Sequence, residues 1–284
     1  MNSEKTSPRR PLLAGGLQFL SPGLGHLYSG RPLRGLTFYF LSLGVLLFSF
    51  LAFLVLSAPL NLVVLLVITL ATMIFSIFDA VRSARNADPN YRLARYNRWY
   101  IYILILIAVT LVGRLESGCI VTYVAQAFRI PTESMEPTLL MGDQIVVNRA
   151  MYAFREPKRG DVAAFRMPNQ PQTILLKRIV ALPGETIEIR DKSVLVNGKI
   201  LTEPYARTHP QANSNAAFLD SLPPTRIPDG TYFLMGDNRD NSLDSRAFGP
   251  VRKDWLLGEL QMIYLSMDPK SGAIRWNRIG RVPN

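Results

Sequence analysis

"TILLKRIVALPG", Thr173–Gly184, decides how the second half of this chain is read. Strand alternation places Leu175, Lys177 and Ile179 on one face, and the Pro-Gly pair closes the run. Four further stretches share its character: "DVAAF", "ETIEIR", "SVLVNGKIL" and "TYFLMGD" are short, β-rich and bounded by Gly, Pro or Asn-Gly turns. No strand–helix alternation separates them, so the spacing predicts a mostly antiparallel β domain rather than a βαβ sheet. This domain is expected over residues 120–284. A Pro-, Asn- and Ala-rich stretch at about 202–229 reads as a long loop or small insertion.

The first half has a different period. From Gly35 to Phe78 there is no charged residue. Residues 36–56 and 60–78 are each long and apolar enough to cross a bilayer, for which about 20 residues suffice. They are joined by the uncharged turn Ser57-Ala58-Pro59. A third apolar run, 99–113, is short for a span. Arg114 can lengthen it by extending to the interface, and Trp99 and Tyr100 suit the opposite edge. The expected organisation is a cytoplasmic or interfacial segment at 1–35, a region of about three spans at 36–119, and the β domain. Lys5, Arg9 and Arg10 mildly resemble the start of a signal peptide, but the run continues through Pro22, Gly23, Gly25 and Gly30 and is read as retained.

The formal net charge of +11 invites a nucleic-acid reading, which its distribution opposes. Residues 1–127 carry eleven Lys/Arg against four Asp/Glu, and five of those are Arg82, Arg85, Arg92, Arg95 and Arg98, between two apolar segments. Basic clusters beside spans follow the positive-inside rule, whereas a DNA- or RNA-binding patch should accompany a reading helix or an aromatic platform. No nucleic-acid partner is expected. The arginines put the amino terminus and the 82–98 loop in the cytoplasm. Three spans would then leave the β domain outside; if 99–113 does not cross, that domain is cytoplasmic.

Cys119 is the only cysteine, which excludes an internal disulfide and a cysteine metal cluster. His26 and His209 are the only histidines and stand in no metal-binding pattern. The acidic loop "GDNRDNSLDSR" lacks the EF-hand spacing, since Arg239 and Ser242 occupy the third and sixth places counted from Asp237. No metal and no cofactor are expected. The same shortage of histidine disfavours a Ser–His–Asp triad. Lysine is the other candidate base: if the face carrying Lys177 is buried, desolvation lowers its pKa, and a neutral amine could accept a proton from a serine. Periodicity alone favours the plainer reading, a lysine reaching out from a sheet edge.

Four motifs reverse that preference. "IPTESMEPTL", "RGDVAAF", "LKRIVALPGE" and "GDNRDNSLDSR", followed by "IRWNRIG", resemble in content and order the bacterial type I signal peptidase family, over about Ala127–Gly280. The resemblance implies a membrane-anchored serine endopeptidase with an all-β catalytic domain on the extracytoplasmic side of the inner membrane. Its partners would be signal peptides of secretory preproteins, membrane lipid and the export machinery. It implies Ser134 as nucleophile, Lys177 as general base and Ser242 as the hydroxyl that orients the lysine amine. It further implies Asp244 and Arg246 as the charged pair stiffening that loop, and Thr132 with the Ser134 backbone N–H as an oxyanion hole. Phe128, Ile130 and Thr132 would share a face if the strand continued to Ser134, so that Phe128, Ile130, Met135, Leu139 and Leu176 would line shallow apolar substrate pockets. Glu133 stands where many members carry Gly. The competing readings are a peptidase dedicated to one secretion or conjugation pathway, a catalytically silent binding relative and, more distantly, a self-cleaving repressor sharing the Ser–Lys arrangement.

Overall fold

The computed structural model describes residues 8–55, 60–88, 95–208 and 220–283. The expected turn at 57–59, Arg92, His209 and the middle of the 202–229 stretch lie outside these residues. The chain divides into two compact units, Met1–Ile120 and Val121–Asn284.

The first unit is helical: α1 (Pro11–Leu20), α2 (Leu24–Tyr28), α3 (Pro32–Val55), α4 (Leu60–Arg85) and α5 (Trp99–Tyr123). Two stretches among the described residues, Pro32–Ser49 and Val63–Arg85, are long and apolar enough to cross a membrane; the apolar part of α5, Trp99–Leu115, is shorter. Outward side chains such as Phe40, Leu47, Leu66 and Phe78 are more than half exposed, an arrangement suited to lipid. The helices overrun the apolar runs in both directions, because a charge ends an apolar stretch without interrupting the backbone hydrogen bonds. Thus α3 starts at Pro32 instead of Leu36, α4 reaches Arg85, and α5 continues past Gly113.

The stretch before α3 is built rather than loose. Gln18 Oε1 accepts hydrogen bonds from the backbone N–H groups of Gly23 (3.0 Å) and Gly25 (3.2 Å), serving the start of α2. His26, fully buried, stacks on Phe38 and places Nε2 2.9 Å from Asp79 Oδ2 on α4. A Cβ on Gly25 would run into the Ala14 carbonyl and Ala80, so only glycine allows this approach.

The second unit holds β1 (Ala125–Arg129), β2 (Asp143–Asn148), β3 (Val162–Met167), β4 (Gln170–Ala181), β5 (Thr186–Arg190), β6 (Ser193–Val196), β7 (Lys199–Ile200), β8 (Leu222–Arg226), β9 (Thr231–Met235), β10 (Val251–Arg252) and β11 (Leu256–Ser266). They form a seven-stranded sheet, β1-β2-β11-β3-β4-β9-β10, and a four-stranded sheet, β7-β6-β5-β8. Every strand pairing is antiparallel. Asn197 and Gly198, both at positive φ, make the tight turn from β6 to β7. The stretch read as a loop contains β8: Pro223 and Pro224 lack N–H donors, and β8 accommodates them at the sheet edge.

Strand β4 is the hub of the core. Leu175 and Ile179 join one apolar cluster with Phe165 and Leu234, Leu176 packs on another with Ile145 and Leu139, and Val180 enters a third with Ile187. The segment around Arg278 is tied down by charge. Asp143, fully buried at the start of β2, accepts from Ser266 Oγ (2.6 Å), the Leu140 N–H (2.8 Å) and Arg278 Nη2 (2.6 Å). Replacing Asp143 with Ala strands a buried guanidinium, which typically costs about 3–5 kcal/mol. The expected outcome for D143A is a clearly lower denaturation midpoint of the detergent-solubilised chain.

Candidate active site

Strand β1 ends at Arg129, and the backbone of Ile130 completes the ladder by donating to Asp143 O (2.8 Å) and accepting from Gly142 N (2.9 Å). Pro131 carries no N–H, so pairing stops and the chain turns through Ser134. The turn closes on itself through Glu136 N to Glu133 O (3.0 Å) and Leu139 N to Met135 O (2.8 Å). The expectation that the strand continues to Ser134 therefore fails. Ile130 enters the core while Thr132 is exposed, with its Oγ1 3.3 Å from Ser134 Oγ.

Lys177 lies on β4 opposite Ala163 of β3 and is 3% exposed. Its Nζ donates to Ser134 Oγ at 2.6 Å. Burial pushes the amine down from the ordinary lysine value to about 8. The Asp244 and Asp237 carboxylates push it back up, and the Arg246 guanidinium pushes it down. The lysine thus looks inward, contrary to the plainer reading of its periodicity, because the second half of β4, from Lys177 to Ala181, is buried on both faces and its alternation there does not lead to solvent.

The loop from Gly236 to Arg246 holds this pair in place. Asn238 donates its backbone N–H to Ser134 O (3.2 Å) and its Nδ2 to Glu133 O (3.1 Å). A Cβ on Gly236 would overlap both Ser242 Oγ and the Ser134 carbonyl, so the loop lies against the serine at backbone distance. Asp244 and Arg246 form the expected pair, with Arg246 Nε 2.9 Å from Oδ1 and Nη2 2.8 Å from Oδ2. Burial alone would raise the Asp244 pKa, but the Arg246 guanidinium and the Gly236 N–H hold it below its ordinary value.

Ser242 is buried beside Asp244, and the short contact of the Lys177 amine is with Ser134. Ile130, Met135 and Leu139 are 6%, 2% and 0% exposed, and Phe128 and Leu176 pack partly exposed against the same cluster, so the five side chains expected to line the substrate pocket stand together.

Several residues escaped the sequence reading. Arg178 and Asp237, both buried, pair through Nε–Oδ1 (2.9 Å) and Nη2–Oδ2 (2.8 Å), and the guanidinium also donates to Gly160 O and lies over the Tyr205 ring. Glu203 binds Arg239 through both carboxylate oxygens (2.7 and 2.6 Å), and Arg207 reaches Glu136 at 3.0 Å. The place of Arg178 beside Lys177 was a signal for the first pair. Nothing local marks Glu203 or Arg207, because their partners lie far away in sequence. Among the described residues, no three His, Cys, Asp or Glu side chains gather as a metal site would require.

A hydroxyl against a water-poor amine is an arrangement able to perform acyl transfer. The comparisons with known proteins agree in class. A family model described as "Signal peptidase, peptidase S26" matches residues 96–265. A probable signal peptidase I-1 of Synechocystis is 36% identical over 165 residues, covering 56% of this chain and 77% of the relative. Signal peptidase I of Pseudomonas aeruginosa is 30% identical over 246 residues (71% and 82%), and that of Aquifex aeolicus 33% over 197 residues (51% and 77%). Ser134, Lys177, Asp244 and Arg246 all fall within the matched span, and the chain belongs to the S26 family of signal peptidases, a family of peptide-bond hydrolases.

Proposed function

We propose that this chain is a membrane-anchored serine endopeptidase that removes signal peptides from exported preproteins with a Ser134–Lys177 dyad. The observation that carries this reading is the 2.6 Å approach of Lys177 Nζ to Ser134 Oγ, with the lysine 3% exposed. In its neutral form, Lys177 takes the Ser134 proton as Oγ attacks the scissile carbonyl, then returns it to the leaving amine. Water hydrolyses the resulting ester by the same route in reverse. An amine titrating at about 8 is neutral in roughly one molecule in ten at pH 7, enough for a general base. Thr132 Oγ1 and the Ser134 N–H are the proposed oxyanion donors. Asp244 and Arg246 keep the Gly236–Arg246 loop against the Ser134 turn.

Anchoring follows from α3 and α4, with α5 as a third crossing whose short apolar run is accommodated by local thinning of the bilayer and by flanking side chains reaching to the interface. The arginine-rich stretch before α5 is placed on the cytoplasmic side, which puts Ser134 on the extracytoplasmic side close to the lipid surface. A substrate whose apolar segment sits in the same bilayer then arrives near the height of the nucleophile. Proteolysis of right-side-out and inverted vesicles tests the orientation: digestion of the β domain only in inverted vesicles would reverse it.

On a signal-peptide substrate, Ser134→Ala and Lys177→Ala are each expected to reduce kcat by at least about a thousandfold, and undiminished cleavage by either removes the dyad. Thr132→Val is expected to cost roughly a hundred- to a thousandfold in kcat. Below the Lys177 pKa the amine is protonated and cannot accept. The rate should therefore climb with pH along a limb centred near 8, about tenfold per unit well below it, and a flat profile from pH 6 to 9 would contradict the assignment. Gly236→Ala should lose activity by displacing the serine turn.

A further inference from the structure

Two peptide units flank the Ser134 Cα, and one residue of the Gly236–Arg246 loop holds both. Asn238 donates its backbone N–H to Ser134 O (3.2 Å) and its Nδ2 to Glu133 O (3.1 Å). A carbonyl oxygen only accepts, so the amide atom facing Glu133 must be the nitrogen, which fixes the orientation of the side chain. Asn238 is itself well held. It is 5% exposed, and its own carbonyl accepts from Asn241 N (3.1 Å). The peptides on either side of it pair with Arg207: Arg207 N donates to Asp237 O at 2.7 Å and Arg239 N to Arg207 O at 2.9 Å.

The consequence lies on the far side of the same peptide. The Glu133 carbonyl and the Ser134 N–H belong to one planar trans unit, in which C=O and N–H point in opposite directions. Whatever fixes the carbonyl therefore aims the N–H. Among the described residues that N–H donates to no group, whereas the Glu133 carbonyl accepts twice, from Asn238 Nδ2 and from Glu136 N (3.0 Å). An unpaired backbone donor on the nucleophile itself, next to the exposed Thr132 whose Oγ1 is 3.3 Å from Ser134 Oγ, is open to a ligand. The Glu136 bond is made inside the turn and moves with it. The Asn238 bond instead ties the peptide to a loop braced against β4 through Asp237 and Arg178.

We propose that Asn238 is a positioning residue for the oxyanion: by holding the Glu133 carbonyl it sets the direction of the Ser134 N–H, the backbone donor that meets the charge developing on the substrate's carbonyl oxygen. The inference rests on the function proposed above and adds a role that neither the dyad nor the Asp244–Arg246 pair supplies. Asn238 makes no bond to Lys177 and carries no proton, so it reaches the reaction only through the peptide it holds. A donor that strengthens its bond as the oxygen becomes charged raises kcat and leaves KM almost unchanged. Tilting that donor off line forfeits part of the roughly hundred- to thousandfold that one such bond is worth.

The test uses the full-length protein in detergent and a signal-peptide substrate. Asn238→Ala and the volume-conserving Asn238→Leu both keep the backbone N–H, and so the bond to Ser134 O, while removing the bond to Glu133 O. Thermal denaturation establishes that each is folded, and a variant that is not folded leaves the decision to the other. In each folded variant kcat is expected to fall at least about tenfold with KM within about threefold of wild type. The rising limb of the pH profile should keep its wild-type midpoint to within about half a pH unit, because Lys177 is undisturbed. A peptide aldehyde of the substrate sequence, which adds to Ser134 Oγ and places its former carbonyl oxygen at the oxyanion position, should lose affinity by the same factor as kcat. A merely structural role would instead raise KM or move the limb as Lys177 gained water. A smaller fall in kcat, a displaced limb, or a KM raised in proportion overturns the inference. Wild type and Ser134→Ala are run in parallel. Cleavage by wild type and none by Ser134→Ala leave the proposed function standing whatever Asn238 does, and any other result from that pair overturns both.

Discussion

The chemistry open to this chain depends on the hydration of one ammonium group. Lys177 is charged and strongly solvated in an unfolded chain; in the fold it keeps almost no contact with water. Burial is the largest influence on its titration, and two carboxylates, Asp244 and Asp237, partly offset it. These opposing effects leave the amine at about 8, so that it is still often protonated at neutral pH yet deprotonates readily. A lysine at the rim of the same sheet would keep its proton and could not serve as the proposed base.

Keeping the lysine dry and the serine close is the work of one loop. The Gly236–Arg246 segment is braced internally by Asp244 with Arg246, tied to β4 by Asp237 with Arg178, and fastened to the serine turn by Asn238. From outside, Glu203 grips Arg239, and Arg207 bridges to Glu136 beside the serine. Buried ion pairs of this kind are weak evidence for net stability, since the desolvation of both partners is large. Their directional, two-point geometry nevertheless fixes where a backbone lies, and the missing side chain at Gly236 lets that backbone touch the turn.

The helical half obeys a different economy of polar groups. Its long helices satisfy their own backbone and show apolar side chains outward, while the polar groups of the amino-terminal helices are turned in on one another. Gln18 caps α2, and His26 meets Asp79. The glycine-rich "FLSPGLGHLYSGRPLRG" is therefore explained by close packing: Gly23 meets Gly35, and Gly25 meets Ala14 and Ala80. That packing requirement was invisible in the spacing of the motif.

Periodicity and punctuation were sufficient to separate apolar helices from short strands, the shortage of histidine disfavoured a Ser–His–Asp triad, and the family resemblance of the ordered motifs nominated Ser134 and Lys177. These features are local: side-chain alternation, turn residues and apolar run length depend on neighbours along the chain. Where β1 stops, which apolar side chains sink into the core, and whether Lys177 faces water depend on partners distant in sequence, as with Pro131 ending a ladder built against Asp143 or β3 and β9 flanking β4. The roles of Gly236, Asp237, Glu203 and Arg207 emerge only once the strands are assembled, because a contact across the fold leaves no periodic trace in either segment that makes it.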